Sequence, residues 1–306
     1  MANEYLNMLD LAKINVSDTV VGLIEENLDI APEASIFPAR TIDGTSFKTL
    51  HRISLPTSQF RNVNEGVETK KSVYSNKLVE AYYLDNKMEM DVASAQADDQ
   101  GESHALMIEA DGHAQSAIQH IGAQVWYGAA NDAKGFPGAE SLVDSAYTLD
   151  AGGSTANTGS SVYGVRVGPK HGTMIFGRNT VLQIGEWTKQ RITRDSKEMT
   201  AWINSLEGWV GFQWANKDSL CRLKDATEDA DDGVTDAKLA QLMSKLKWVP
   251  DYWFMTRRSR FQIQASRAAG SNTSGNSGQP FGPLPSESNG IPIIVTDSLS
   301  NTEVLS

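Results

Sequence analysis

The side chains best suited to chemistry are three of the five histidines, His104, His113 and His120, which fall in one stretch of the chain. Glu109 and His113 are four residues apart, so on a helix they lie on the same face and could together hold a metal ion. The stretch contains no HExxH pattern or other defined ligand spacing. Such a flank is more typical of a solvated or subunit-facing surface, and the sequence therefore predicts no metal site here.

An acidic segment at residues 225–236 has the composition of a calcium loop. An EF-hand loop needs Asp or Asn at its first, third and fifth positions, Gly at the sixth and Glu at the twelfth. When Gly233 takes the sixth position, Ala230 takes the third and Leu239 the twelfth, so the motif fails. The segment is therefore predicted to be a solvated loop.

The single cysteine, Cys221, lies in a β-type pattern without a histidine near it. This context favours a buried thiol over a nucleophile. No GxSxG, Walker A or GxGxxG string occurs in the sequence. The sequence thus offers no catalytic constellation, and we expect a protein that is not an enzyme and needs no cofactor.

The densest basic cluster is formed by Arg257, Arg258 and Arg260, interleaved with Trp253 and two phenylalanines. Basic residues among aromatic ones are one signature of nucleic-acid contact. The whole chain has a net charge of -11, which argues against a surface that clamps phosphates. We therefore favour intersubunit salt bridges or an arginine–aromatic stack for these residues, with nucleic-acid contact as the alternative.

Composition sets limits on the protein as a whole. Its 306 residues, of which 40% are hydrophobic, supply ample core for one large or two modest domains and exclude a disordered chain. The mean hydropathy is -0.35, and no apolar run approaches the ~18 residues of a membrane span. The first residues lack the basic and apolar regions of a signal peptide, and one cysteine excludes an internal disulfide. These features are typical of an acidic, soluble, cytoplasmic product.

The elements that would position any site begin with a β region. Two β-type segments, 47–55 and 72–84, flank the polar stretch PTSQFRNVNEGVETKK. Residues 84–92 then alternate between apolar and charged side chains, which predicts a strand with one buried and one wet face. A two-stranded excursion with a charged tip has little core of its own. It must therefore lie on its own domain or on another subunit.

Residues 97–127 are predicted to form one long helix, capped by Asp98 or Asp99. At the ~100° per residue of a helix, five apolar residues fall on one stripe: Met107, Ala114, Ile118, Ile121 and Val125. The stripe should face the core. The following ANDAKGFPGAE ends the helix, because glycine and proline interrupt the pattern.

The rest of the chain mixes strands and helices. The pattern from 162 to about 223 is β-type and holds four of the seven tryptophans. A helix is predicted from the spacing of four residues: Leu239, Leu242, Met243 and Leu246. A strand and a second helix follow at 248–270, and a Gly/Ser/Pro loop leads to a β-branched closing strand after residue 290.

Residues 1–45 mix short apolar patches with Asn, Asp and Pro. A short helix is predicted near 18–29, where Pro32 ends it and Pro38 keeps the following chain extended. This segment is either an arm that packs on neighbouring subunits or an ordinary lead-in to the first domain.

The order of these elements, with five short strings, resembles bacteriophage major capsid proteins of the HK97 type, in a branch of phage and prophage major structural proteins. The strings are ANEYLNMLDLAKIN at the start, FPART at 37–41, FRNVNEG at 60–66, DAKGFPG at 132–138 and GIPIIVTDSL at 290–299. The resemblance covers nearly the whole chain and implies an α+β fold of the HK97-like type. Because the Trp-rich β segment precedes the helix block, we expect a rearranged strand order.

The resemblance implies five segments and a set of contact residues. The segments are an N-arm (1–45), an E-loop (46–83), a P domain with a spine helix (84–135), the remaining β segment of the P and A domains (136–224), and the A-domain helix block with the closing strand (225–306). Candidates for intersubunit ion pairs are the charged residues of the E-loop: Arg61, Glu65, Glu68, Lys70 and Lys71.

The function implied by the resemblance is structural. Many copies would assemble, as hexamers and pentamers, into the icosahedral virion shell around the double-stranded DNA genome of a tailed phage. Assembly would take place in the host bacterial cytoplasm, and the acidic charge suits a container that encloses DNA without sequence-specific binding. Because the arm begins almost at Met1, a separate scaffolding protein is expected, together with a portal protein, while a decoration protein stays an open question.

Two alternatives of the same structural kind remain at this point. An encapsulin-like nanocompartment shell would hold a cargo enzyme rather than a genome. A phage tail or baseplate protein would form rings or tubes. A metal-dependent enzyme built on the histidines of the long helix is a more distant alternative.

Overall fold

The computed structural model describes residues 29–194, 196–229, 231–271 and 283–305. Its helices are α1 (Glu33–Ile36), α2 (Val92–Gln96), α3 (Glu102–Tyr127), α4 (Ala139–Leu142), α5 (Asp236–Ser244) and α6 (Arg257–Ser271). Short 3-10 turns cover Gly128–Ala130, Ser145–Tyr147 and Lys217–Ser219. The helix predicted near 18–29 and most of the predicted Gly/Ser/Pro loop lie outside the described residues.

The described residues form fourteen strands, numbered here in chain order. They are β1 (Ala39–Thr41), β2 (Ser46–Ser54), β3 (Val73–Glu80), β4 (Tyr82–Asp91), β5 (Thr148–Asp150), β6 (Ser160–Val165), β7 (Gly172–Phe176), β8 (Gln183–Ile184), β9 (Thr188–Arg194), β10 (Lys197–Trp214), β11 (Leu220–Ala226), β12 (Tyr252–Met255), β13 (Glu287–Ser288) and β14 (Ile291–Val295).

The strands form two sheets and a separate hairpin. The first sheet has the order β1-β7-β10-β4, with β8 and β9 also paired to β10, and the second has the order β13-β14-β12-β6-β11-β5. The chain leaves the second sheet after β6, builds most of the first and returns at β11. The segment 136–224 is thus divided between the two sheets, which is a non-sequential strand order.

Strand β4 has the two faces that its alternation predicts. Met88 and Met90 are fully buried, while Asp85 and Lys87 are exposed. The strand pairs antiparallel with β10 along its whole length, from Tyr82 to Asp91. The buried face therefore packs under α3, and the wet face carries the charges.

Helix α3 begins at Glu102, later than the predicted residue 97. Its N-cap is Gly101, which has a φ of 98° and no side-chain cap. Asp98 does not cap the helix, because its carboxylate accepts from Gln100 N at 2.8 Å and contacts His104 Nδ1 at 2.9 Å. Glycine is favoured at this N-cap because the positive φ is strained for other residues. The predicted Asp98 or Asp99 cap is therefore wrong.

The predicted apolar stripe of α3 is only half buried. Ile121 and Val125 lie in the core, but Met107 is 65% exposed and Ile118 is 44% exposed. Ala117, outside the predicted stripe, packs with residues of the first sheet. The sheet covers only one side of this 26-residue helix, so part of its apolar surface faces outward.

An aromatic core joins α3 to both sheets. Phe37 stacks on Phe254 of β12 with 5.6 Å between ring centres and meets Phe212 of β10 edge-on at 4.7 Å. Trp126 stacks on Tyr163 of β6 at 4.9 Å. Each such pair adds about 0.5–1.5 kcal/mol beyond its buried area. The two sheets and the long helix therefore share one core.

The outer face of the second sheet is covered by α5, whose predicted spacing is confirmed. Leu239 and Leu242 are fully buried, and Thr235 caps the helix by accepting from Lys238 N at 3.2 Å. The predicted strand and helix after Trp248 are β12 and α6, and the closing strand is β14. Within the described ranges, no helix is both long and apolar enough to span a bilayer.

Candidate assembly surface

The hairpin of β2 and β3 projects from the body as a two-stranded sheet. Its register runs from Ser46 opposite Glu80 to Ser54 opposite Val73, with a shift near the far end. It belongs to neither larger sheet. A lone hairpin is marginally stable in water, so its surface calls for a partner.

The side chains of this hairpin and its tip are largely exposed, including many apolar ones. Phe60 at the tip is fully exposed, and Val63 is 88% exposed. The others are Leu50, Ile53, Leu55, Val67, Val73, Tyr74 and Leu78. Apolar side chains clustered on a projecting element mark an interaction surface. We define these nine residues as the apolar hairpin surface.

The five charged candidates of the tip make local contacts. Arg61 Nη1 donates to the Glu65 carbonyl at 2.8 Å, and Lys70 pairs with Glu68. Lys71 is exposed and makes no ion pair in the part of the chain that the structure describes. The structure thus groups these residues on one exposed loop.

The root of the hairpin is fixed to the first sheet by close backbone packing. Ala81 N donates to the Thr45 carbonyl at 2.8 Å, and Ala81 is buried. A Cβ at Gly211 of β10 would lie 2.5 Å from the Glu80 carbonyl oxygen. Glycine at this position therefore allows the hairpin to leave the body at a tight crossing.

The predicted basic and aromatic cluster is separated by the fold. Trp253 is fully buried in the core of the second sheet, and its Nε1 donates to the Ser288 carbonyl at 3.3 Å. Its indole therefore packs inside the subunit rather than on a contact surface. The sequence pattern could not show this, because both faces of β12 are covered in the folded sheet, where Phe254 and Met255 are fully buried as well.

The three arginines bind within the subunit. Arg258 donates to the carbonyls of Thr158, Ala226 and Asn301 at 2.6, 3.1 and 3.2 Å. Arg257 pairs with Asp297 at 2.6 Å, and Arg260 Nε donates to the Pro285 carbonyl at 2.7 Å. Arg258 thus connects segments that are distant in sequence. The side chain of Arg257 is 56% exposed, whereas that of Arg258, which also pairs with Glu228 at 3.5 Å, is 17% exposed.

The histidines of α3 do not converge. Each has its own carboxylate neighbour: His104 with Asp98 at 2.9 Å, His113 with Glu109 at 3.3 Å and His120 with Asp132 at 3.7 Å. Among the described residues, no group of three or more His, Cys, Asp or Glu side chains could hold a metal ion.

Cys221 is a core residue, as its β-type pattern predicts. The thiol is fully buried and donates to the Gly164 carbonyl at 3.5 Å. Burial raises the pKa of the Cys221 thiol to about 12, so the reactive thiolate is scarce at neutral pH. The cysteine therefore packs rather than reacts.

The sequence interpretation of the tip selected charges and missed the apolar residues beside them. Phe60, Val63 and Val67 interrupt an otherwise polar stretch and fit neither a helix period nor a strand alternation. Apolar residues that no local element can bury are the signal that was available. The folded subunit therefore leaves these apolar side chains exposed on the tip of the hairpin.

Comparison with known proteins supports association over chemistry. Residues 15–305 match the family model described as major capsid protein GP7. The chain belongs to this family. A GP7-family protein is a major capsid protein, a structural component of the bacteriophage virion that functions in an assembled shell. Among curated proteins, none matches the chain.

One solved structure shows the same fold, and others are similar over part of the chain. A chain of bacteriophage Epsilon15 is similar with a TM-score of 0.72 and 17% identity, covering 99% of this chain and 98% of its own. A chain of Mycobacterium phage Adephagia is similar with a TM-score of 0.47 and 9% identity, covering 68% of this chain and 92% of its own. A chain of the SrpI encapsulin complex of Synechococcus elongatus is similar with a TM-score of 0.46 and 7% identity, covering 72% of this chain and 95% of its own. The Epsilon15 likeness shows the HK97-like capsid fold. The family match supports the phage capsid over the nanocompartment and tail alternatives.

Proposed function

We propose that this major capsid protein tiles a closed icosahedral shell of hexamers and pentamers around the double-stranded DNA genome of a tailed phage. In this arrangement the hairpin of one subunit lies over the body of its neighbour. The observation that carries the proposal is the apolar hairpin surface. Its nine apolar residues have no intrasubunit core to enter, and burial of apolar area stabilises association by about 25 cal/mol per Å².

The body offers a matching site. A groove of about 350 Å³ opens between β4, α3 and the loop after α3. Its apolar lining includes Leu84, Ile121, Phe136 and Val210. A neighbour's Phe60 suits such a groove, because an aromatic anchor seated in a pocket typically dominates the energy of an interface.

This proposal assigns a role to each segment and charged residue that the resemblance implies. Residues 46–83 act as the E-loop, 84–135 supply the P domain with α3 as its spine, and the second sheet with α5 and α6 forms the A domain. The charged tip residues then orient the hairpin on its neighbour: Arg61, Glu65, Glu68, Lys70 and Lys71. Arg257, the most exposed of the cluster, is a further candidate for a subunit contact.

The partners follow from the same proposal. A separate scaffolding protein and a portal protein act with the shell during assembly in the host bacterial cytoplasm, and a decoration protein is a further candidate. The net charge of -11 favours a wall that encloses DNA without binding its sequence, because a phosphate-binding surface needs an excess of cations.

The test is assembly by a Phe60→Asp variant. The full-length chain is expressed with the genes that flank it, and particles are counted by electron microscopy and gradient sedimentation. We expect shell yield to fall by about tenfold or more, since loss of a buried aromatic anchor costs an interface ~2 kcal/mol or more. Gln59→Asp adds the same charge next to it and serves as the matched control.

Two results would contradict the proposal. Wild-type chain that stays monomeric in the presence of the flanking gene products would refute a shell. Wild-type yield from Phe60→Asp, with an unchanged melting temperature of the free subunit, would refute the role of the hairpin.

Charge reversal at Lys70 and Lys71 is expected to impair assembly more weakly, since exposed ion pairs contribute less than about 1 kcal/mol.

A further inference from the structure

The two ends of the second sheet carry opposite charge. Val165 at one end of β6 pairs with Leu220 and Tyr252, while Ser160 at the other end pairs with Ala226. We call the first the basic end and define it by Arg166, Lys170, Lys247 and Trp248. We call the second the acidic end and define it by Glu228, Asp229, Asp231 and Asp232.

The basic end presents a stacked arginine and tryptophan to the exterior. The Arg166 guanidinium lies 4.9 Å from the centre of the Trp248 ring. Trp248 is nonetheless 52% exposed, and the adjacent Val249 is 62% exposed. Tryptophan and arginine are enriched among residues that dominate interfaces. A large apolar ring left half-covered next to a cation is a docking feature.

The cations of the basic end have no carboxylate of their own. Within the described residues, Arg166, Lys170 and Lys247 make no ion pair. Asp251 is close to the same loop, but its carboxylate accepts from Val167 N at 2.9 Å. An open groove of about 400 Å³ is lined by residues 166–171 and by Asp251, so its two cations outnumber its one carboxylate. The end therefore has room and positive charge for an acidic partner.

The acidic end has more carboxylates than internal cations. Glu228 has a side chain that is 71% exposed and touches Arg258 only at 3.5 Å. The nearby Lys238 ammonium donates to the carbonyls of Ala151, Asp231 and Gly233, at 3.1, 2.6 and 3.0 Å. Lys238 and Arg258 are two cations beside four carboxylates, so they offset only part of the negative charge. The acidic end is left with net negative charge at its surface.

The two ends cannot satisfy each other within one subunit. Strand β6 separates them, and its six residues span about 20 Å at ~3.3 Å per residue. Exposed charges that far apart are screened at ordinary salt. A second copy of the chain can bring the basic end of one sheet against the acidic end of another.

We propose that copies of this chain join head to tail, with the basic end of one subunit docked on the acidic end of the next. The contact uses two different surfaces, so it is heterologous and generates a closed ring when the rotation per step closes. The inference rests on the proposed function, since it assigns the contact that would link neighbours within a capsomer. Trp248 supplies the apolar centre of this contact, and the opposite charges of the two ends determine which end of one subunit meets which end of the next.

A polyanion such as DNA is the competing occupant of the basic end. The chain is acidic overall, with 38 acidic against 27 basic side chains, which weakens attraction to phosphate. The acidic end, in contrast, is a complementary surface present on every copy. Charge complementarity therefore favours a second subunit.

The test is a charge swap in the full-length chain, expressed with its flanking genes. The double variant K170E/K247E and the double variant E228K/D231K each place like charges at the contact, and each should lower shell yield about tenfold or more. The quadruple variant restores opposite charges and should recover most of the yield. R191E/K197E changes two exposed cations that lie outside both ends and outside the groove proposed for Phe60, and it should assemble as wild type.

A mixture of the two double variants gives a second readout. Alternating copies then complement each other at every contact in a six-membered ring but not in a five-membered ring. We expect hexamers or open sheets and tubes without closed shells. Melting of the free subunits shows that each variant is folded.

Wild-type shell yield from both double variants, with wild-type protein assembling normally, would overturn this inference and leave the proposed function intact. Failure of the quadruple variant to recover, while the subunit stays folded, would also count against it. If K170E/K247E assembles normally but binds less DNA, the basic end serves a polyanion and the head-to-tail contact is refuted.

Discussion

The indole of Trp126 donates its N–H to Glu33 Oε1 at 2.7 Å, inside the protein. Glu33 is fully buried, and its carboxylate also accepts from Thr296 Oγ1 at 2.6 Å and from Ser298 Oγ at 3.2 Å. The three donors belong to α3 and to the segment that follows β14. One carboxylate therefore joins α1, the long helix and the C-terminal part of the chain.

This carboxylate makes subunit stability depend on pH. Burial raises the pKa of Glu33 above its usual value, and the hydrogen bonds only partly oppose this. Its favourable contribution is then present below the ordinary Glu pKa and is lost as the pH rises through the folded-state pKa. We predict that the free energy of unfolding of Glu33→Gln exceeds that of wild type, and that this difference grows as the pH rises from about 4 to 7.

The measurement is denaturant unfolding of unassembled subunits at several pH values. Gln keeps an acceptor oxygen for Trp126 and Thr296, so the fold should be preserved. Glu33→Ala is the control, and it should lose about 2–3 kcal/mol because buried donors are left unpaired. A constant difference between wild type and Glu33→Gln across this range would contradict the prediction.

A second buried ionic group anchors the C-terminal end. Arg222 lies 3.1 Å from Glu140 and 3.4 Å from Glu303, and its side chain is 8% exposed. Glu303 also accepts from Tyr127 at 2.7 Å and from Ser161 at 2.5 Å. We predict that Arg222→Ala destabilises the subunit by about 3–5 kcal/mol, since it leaves buried carboxylate charge unpaired.

The check is thermal and urea unfolding of the variant beside Lys217→Ala. Lys217 is exposed and pairs with Asp144 at 3.3 Å, so its loss should cost less than about 1 kcal/mol. Equal losses in the free energy of unfolding from the two substitutions would show that the burial of Arg222 and its partners does not determine how much they stabilise the subunit.

Several elements could be predicted because their causes are local. The alternation in β4 and the spacing of Leu239 and Leu242 in α5 each report which face meets the core. The start of α3 could not be predicted in this way, because the Asp98 carboxylate contacts His104 and Gly101 is the N-cap residue. That choice depends on contacts made only after the chain has folded.

The position of the hairpin was predicted from the sequence, but the exposure of its apolar side chains was not. The polar tip and its charges are visible in the sequence, and the hairpin lies where they indicate. The exposure of Phe60 and the burial of Trp253 depend on what covers the loop and the two faces of β12 in the folded subunit. Arg166 and Trp248 are far apart in sequence, so their stacking is a product of tertiary structure.

Two glycines of α3 have opposite effects on subunit stability. A Cβ at Gly122 would overlap Ser298 Oγ and lie 3.0 Å from Glu33 Oε2, whereas a Cβ at Gly112 would meet nothing within 4 Å. Gly112→Ala should stabilise the subunit by about 0.5–1 kcal/mol, since alanine favours the helix. Gly122→Ala gains the same helix term but should lose about 1–2 kcal/mol net, because crowding displaces the Glu33 network. Chemical denaturation of the two variants measures both signs, and stabilisation by Gly122→Ala would show that this network can shift without cost.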